Sequence, residues 1–254
     1  MVMEKMLEGK VAIVTGGGSG FGKAMSELYD REGAKVIVSD IMPEGAEETV
    51  DNIKKAKGEA VFVMADGSKP ADCEQLVKEA VKNFGKLDLA FNNAGIGGAN
   101  APIGEYPVDQ WDKIIAVNLS SVFYGMHYQI PEMLRGGGGV IVNMASILGQ
   151  VGFAGSCGYV AAKHGVIGLT KNVALEYGAK NIRANAVGPG FVDTHLTHNL
   201  MMDRSTYDFL VEKHPMCRLG KVSEVVDLVL RLSSDRASFC NGGFYTVDAG
   251  YLAK

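Results

Sequence analysis

Residues 15–22 read Thr15-Gly16-Gly17-Gly18-Ser19-Gly20-Phe21-Gly22. The apolar run Val11-Ala12-Ile13-Val14 stands directly before them, and a helical pattern, Phe21–Glu32, directly after. Glycines at such a junction let the backbone turn sharply, and the free N–H groups of the helix start favour an anion. A tight turn without a ligand would carry the same letters, so the spacing has to discriminate. The strict G-x-G-x-x-G fingerprint fits no register of the stretch. Gly17 to Gly22 followed by Lys23 matches the phosphate loop G-x-x-x-x-G-K, but Ala24 stands where Ser or Thr must offer a hydroxyl to Mg²⁺. Thr15, Gly16, Gly20 and Gly22 fill T-G-x-x-x-G-x-G completely. Dinucleotide binding is therefore favoured, with Gly16, Ser19, Gly20, Phe21 and Gly22 as cofactor-binding positions.

Outward from this turn, apolar β-branched runs and helical patterns alternate along the chain. The strands are expected at Val11–Val14, Lys35–Ser39, Ala60–Ala65, Leu87–Phe91, Val140–Met144, Ile182–Val187 and Gly243–Val247. Helices are expected around Phe21–Glu32, Glu44–Lys57, Ala71–Phe84, Val108–Leu134, Tyr159–Tyr177 and Val222–Ser233. Strict alternation predicts a parallel seven-stranded sheet with helices on both faces, a doubly wound α/β (Rossmann) fold. Strands apolar throughout, such as Val140-Ile141-Val142, fit a sheet covered on both sides. No repeat or linker divides the 254 residues, so one domain over 1–254 is expected. Only the segment of about 194–220 breaks the rhythm. Its place after a strand marks it as a substrate-covering segment.

Composition narrows the function classes. With 25 basic and 29 acidic residues the net charge is −4, which lacks the basic field of a nucleic-acid binder. No apolar run approaches a membrane span, and Met1–Glu8 carries no apolar leader core. Cys73, Cys157, Cys217 and Cys240 have neither metal-ligand nor disulfide-framework spacing. The expectation is a cytoplasmic protein with reduced thiols. Asp193, His195 and His198 lack a further metal ligand, so no metal is expected and they read as loop surface or pocket lining.

Asp40 follows the second strand about 20 residues past the glycines, where an acid can bond a ribose hydroxyl pair. Its carboxylate would repel a 2′-phosphate, and Ile41 beside it is not basic, so NAD is expected over NADP. Farther along, Tyr159 and Lys163 stand four apart and share one helix face. An ammonium beside a phenol favours the phenolate, and this is expected to lower the tyrosine's pKa for acid–base work. Ser146, 13 positions earlier, could bond a substrate oxygen.

The set Thr15-Gly16…Gly20…Gly22, Asn92-Asn93-Ala94-Gly95, Asn118, Ser146, Tyr159…Lys163 and Pro189-Gly190 resembles the short-chain dehydrogenase/reductases, from Gly9 to Gly250. The resemblance implies a catalytic tetrad of Asn118, Ser146, Tyr159 and Lys163. The tyrosine would exchange a proton with the alcohol or ketone. The lysine would tune it and hold the nicotinamide ribose, the serine would orient the substrate oxygen, and the asparagine would hold a relay water. It further implies Asp66 with Gly67 near the adenine, Asn92, Ala94 and Gly95 beside its ribose, and Pro189, Gly190, Val192 and Thr194 near the nicotinamide amide. A homotetramer is implied, its Val108–Leu134 and Tyr159–Tyr177 helices packed across one interface, with Ala161, Ala162, Gly165 and Gly168 as the small contact residues.

The expected reaction is NAD-dependent hydride transfer with a secondary alcohol or ketone. Leu148 and Phe153, with Ser146 and Tyr159, are the expected substrate contacts. Leu196, Leu200, Met201, Met202, Phe209 and Met216 would add an adaptable apolar wall. Apolar or cyclic alcohols, hydroxysteroids among them, are therefore expected over sugars and anionic acyl carriers. Arg204, Lys213 and Arg218 oppose that preference. The alternatives are a 3-oxoacyl thioester reductase, a sugar or polyol dehydrogenase, and a non-catalytic dinucleotide-binding regulator.

Overall fold

The computed structural model describes residues 5–194, 197 and 202–253. Seven strands form one sheet: β1 (Val11–Thr15), β2 (Lys35–Asp40), β3 (Ala60–Met64), β4 (Leu89–Asn92), β5 (Gly139–Met144), β6 (Ile182–Pro189) and β7 (Phe244–Val247). Their order is β3-β2-β1-β4-β5-β6-β7, with every pair parallel. The helices are α1 (Gly20–Arg31), α2 (Pro43–Lys55), α3 (Pro70–Phe84), α4 (Val108–Ile115), α5 (Ser121–Arg135), α6 (Cys157–Tyr177), α7 (Arg204–Glu212) and α8 (Val222–Ser233). Pro43 and Pro70 open α2 and α3, where the missing N–H costs nothing.

Both faces of the sheet are covered. Val14, Val36 and Val38 pack with Met25 and Tyr29 of α1, Val50 of α2 and Val229 of α8. Ile13, Ile37 and Ile141 pack on the other side with Leu76 of α3, Met126 of α5 and Val166 of α6. Alternate residues of one strand thus enter opposite cores, which is why the strands are apolar throughout.

Three elements differ from the sequence expectation. β4 begins at Leu89 because the Asp88 carboxylate, at 2.8 Å, accepts the Val11 N–H in place of a ladder carbonyl. The Val108–Leu134 stretch is not one helix: residues 116–120 form a π turn between α4 and α5. The covering segment contains α7, capped by Asp203, whose carboxylate accepts the Thr206 N–H at 2.7 Å. His195, Leu196, His198, Leu200 and Met201 lie outside the described residues.

Candidate active site

The chain runs β1 to β3 in one direction and returns through β4 in the other, so the sheet's switch point lies between β1 and β4. In open α/β sheets ligands bind at the carboxyl ends of such strands. Here those ends are clasped together. Thr15 Oγ1 accepts the N–H groups of Asn93 and Ala94 at 3.0 and 3.1 Å, and Asn93 Nδ2 donates to the Thr15 carbonyl at 2.9 Å. A cleft of about 1020 Å³ opens above the clasp.

Every residue expected to meet the cofactor lines this cleft except Gly22. Gly22 lies beneath it: a Cβ there would sit 2.0 Å from the Gly16 carbonyl oxygen, so its glycine is demanded by helix–strand packing. Gly16 and Gly20 have φ of +66° and +51°, a conformation that favours glycine. Thr194 faces Gly20 across the groove, its Cβ 3.7 Å from the point a Gly20 Cβ would occupy. These cradles fit a dinucleotide.

Asp40 stands at the β2 end of the cleft. Its two carboxylate oxygens accept the N–H groups of Gly18 and Met42, each at 3.0 Å, so its direction is fixed. Asp66 accepts both the N–H and the hydroxyl of Ser68, and that hydroxyl chiefly holds it below the ordinary carboxylate range. Asn92 reaches the cleft, but its side chain turns into the core, pairing with Gln129 and with Asn143 at 2.9 Å. Its side-chain amide is therefore committed to holding the strand end, and sequence gave no sign of that direction.

Three of the four expected catalytic side chains meet at the inner end of the cleft. α6 projects Tyr159 and Lys163 from one face, and Ser146 follows β5. Lys163 is 3% exposed, donates to the Met144 carbonyl at 2.8 Å, and has its Nζ 5.5 Å from the centre of the Tyr159 ring. Burial pulls Lys163 down to about 8. Burial also pushes Tyr159 up to about 12, against a hydrogen bond with Ser146 that pulls it down. The sequence expectation, a phenol lowered by its neighbouring ammonium, is thus reversed: desolvation wins and the ammonium is aimed at a carbonyl. Asn118 lies apart, behind Gly95. Its Oδ1 accepts the Ile96 N–H and its Nδ2 donates to the Ile96 carbonyl, each at 2.8 Å, so its side chain is turned to the Ile96 backbone.

Beside Ser146 and Tyr159 a second cavity of about 140 Å³ opens, with Leu148, Phe153 and Phe191 on its wall and no charged residue among its lining. The four residues expected to contact substrate all line it. Met202, Phe209 and Met216 do not; they are exposed, so the adaptable wall expected of them is absent among the described residues. Arg204 is paired with Asp208 at 3.0 Å, and Arg218 with Glu224 at 2.6 Å.

A family model described as enoyl-(acyl carrier protein) reductase matches residues 16–252. The cyclohexanol dehydrogenase of Acinetobacter sp. (strain SE19) is 46% identical over 253 residues, covering 100% of this chain and 99% of that protein. The chain belongs to the short-chain dehydrogenase/reductase family. Levodione reductase has a crystal structure that superposes with a TM-score of 0.94 at 36% identity, over 97% of this chain and 99% of that one. A putative 2-deoxy-D-gluconate 3-dehydrogenase from Agrobacterium tumefaciens, solved with bound NADP, gives 0.91 at 34% identity over 99% and 100%.

As an oxidoreductase of this family, the chain carries further cleft residues that sequence reading missed. Val117 within the π turn and Ser121 just after it line the cleft, and only the family's polar position at 118 pointed toward that turn. Thr15 and Asn93 stood in the quoted motifs, yet nothing in them showed that the two bind each other. Of the four small residues assigned to a helix contact between subunits, Ala162 is buried in its own chain and Gly165 faces Leu119, while Gly168 meets open space. Among the described residues no three His, Cys, Asp or Glu side chains are grouped to hold a metal, and no helix is long and apolar enough to cross a membrane.

Proposed function

We propose that this member of the family is an NAD-dependent dehydrogenase of secondary alcohols carried on a single six-membered ring, reducing the matching ketones in reverse. The observation that carries this is the uncharged cavity of about 140 Å³ opening onto Ser146 and Tyr159. A dry cavity of about 150 Å³ accommodates benzene, so one carbocycle fits within it. This is narrower than the sequence expectation. The ring named in the cyclohexanol dehydrogenase supports it, and the pairing of Arg204 and Arg218 with carboxylates argues against anionic acyl carriers.

Bound nicotinamide supplies the hydride acceptor or donor. The chain's own groups handle the oxygen. Ser146 holds it by hydrogen bonding, and Tyr159 gives it a proton in reduction and takes one back in oxidation. Lys163 stands beside the Tyr159 ring to meet the nicotinamide ribose. Asn118, whose side chain bonds the Ile96 backbone, is the residue that would hold the relay water. Asp40 favours NAD: its fixed carboxylate opposes a 2′-phosphate, and the nearby Lys23 is paired with Glu48 at 2.7 Å. A homotetramer is supported by the half-exposed Phe123 on α5 and by the open surface at Gly168 of α6.

The test compares kcat/KM for cyclohexanol, a hydroxysteroid, a hexose and a 3-oxoacyl thioester. Cyclohexanol should lead by about tenfold or more, a barrier difference of about 1.4 kcal/mol. Any of the other three leading by that margin overturns the reading.

A further inference from the structure

His214 lies just beyond α7 and is 1% exposed. Its Nδ1 is 2.7 Å from the Leu210 carbonyl oxygen, and its Nε2 is 3.2 Å from the Phe191 nitrogen. A carbonyl only accepts, so Nδ1 carries the proton. A backbone N–H only donates, so Nε2 is bare. The two contacts together select one neutral tautomer.

The groups so joined belong to different parts of the site. Leu210 is in α7, inside the covering segment. Phe191 is on the wall of the substrate cavity, next to Gly190, which lines both that cavity and the cofactor cleft. The imidazole presses directly on this turn: a Cβ at Gly190 would sit 2.6 Å from Nε2. Ring contacts extend the join, with His214 5.9 Å from Phe191 and 5.4 Å from Tyr251, and Phe191 5.8 Å from Phe153. A leucine or phenylalanine would fill the space without burying two polar nitrogens. The imidazole instead satisfies two backbone groups that α7 and the β6 exit would otherwise leave unpaired.

We infer that His214 is a positioning residue for the reaction, holding the Gly190–Phe191 turn at the distance that shapes the substrate cavity. This rests on the cavity reading given above. It acts through Phe191 and leaves the dinucleotide contacts of the glycine turn untouched.

The test compares His214→Asn with His214→Gln. Asparagine keeps a donor for Leu210 but is too short to reach Phe191; glutamine spans both. His214→Asn should raise KM for cyclohexanol by about tenfold and the NADH Kd by less, since Gly190 of this turn also lines the cofactor cleft. It should also speed hydrogen exchange at the Phe191 amide, and His214→Gln should restore both. If His214→Asn lowers Tm while KM and Phe191 exchange stay at wild-type values, His214 is packing alone and the inference falls. It also falls if glutamine rescues neither readout. Should wild type not oxidise cyclohexanol, the cavity reading fails. The His214 inference is then decided by Phe191 exchange and by KM for the secondary alcohol that is used best.

Discussion

Lys163 donates its ammonium to the main-chain carbonyl of Met144 at 2.8 Å, one helix turn from the tyrosine it was expected to acidify. The bond ties α6 to the end of β5, two residues before Ser146, so a single contact sets the spacing of serine, tyrosine and lysine. The cost is a cation almost without water and, among the described residues, without a carboxylate partner. Burial consequently draws Lys163 down to about 8 and lifts Tyr159 to about 12.

Removing the Tyr159 hydroxyl tests the proposed proton step. Tyr159→Phe should bind NADH as wild type does and lose about 10²–10⁴-fold in kcat, the range expected for a positioned acid–base group. Steady-state kinetics with a fluorescence binding titration checks both halves. Turnover above a tenth of wild type removes Tyr159 from the mechanism.

The buried lysine leaves a mark on stability. Its folded pKa, about 8, lies below its ordinary 10.5. Below pH 8 the lysine is charged in both states and the folded protein carries the full burial penalty, about 3 kcal/mol from the size of the shift. Between pH 8 and 10.5 the unfolded chain binds more protons, so stability from this group rises with pH. Lys163→Met should therefore raise Tm relative to wild type more at pH 7 than at pH 10. A difference that grows with pH would contradict a depressed Lys163.

The proposed preference for NAD rests on Asp40. Wild type should show higher kcat/KM for NAD than for NADP, and Asp40→Ala should narrow the ratio by weakening NAD and admitting the extra phosphate. Equal wild-type rates would place the carboxylate away from the ribose.

Assembly is checked by light scattering. The expected mass is four times that of the 27.0 kDa chain. A value near one chain rejects the tetramer, and Phe123→Asp on the exposed α5 face should shift the mass downward if that face is the contact.

The sheet and the glycine turn were legible because they rest on local signals: apolar runs, their alternation with helices, and glycines at a strand–helix junction. The π turn at 116–120 was not, since Trp111, Ile114, Ile115 and Val122 keep a helical spacing through it and a local change of hydrogen-bond register leaves no letter behind. α7 escaped because its apolar face is short, Tyr207, Leu210 and Val211 with only Leu210 fully buried, although the Asp203 cap was written in the sequence. The proposed tetrad was readable only as residue types. The Lys163 acceptor was not, being a backbone carbonyl from another element. Asn92 turned inward because side-chain direction at a strand end is settled by neighbours distant in sequence.

The Thr15–Asn93 clasp joins residues 78 positions apart. A chain segment that long has to close before the bond exists, and loop closure of this kind is entropically costly and slow. The half-sheet β1–β3 and the half-sheet that begins with β4 can each gather local contacts, but the cleft floor comes into being only when they dock. A dinucleotide filling the cleft would touch residues of both halves. It therefore acts on the life of the finished protein and not on its birth, slowing unfolding while leaving the folding rate where the bare chain sets it.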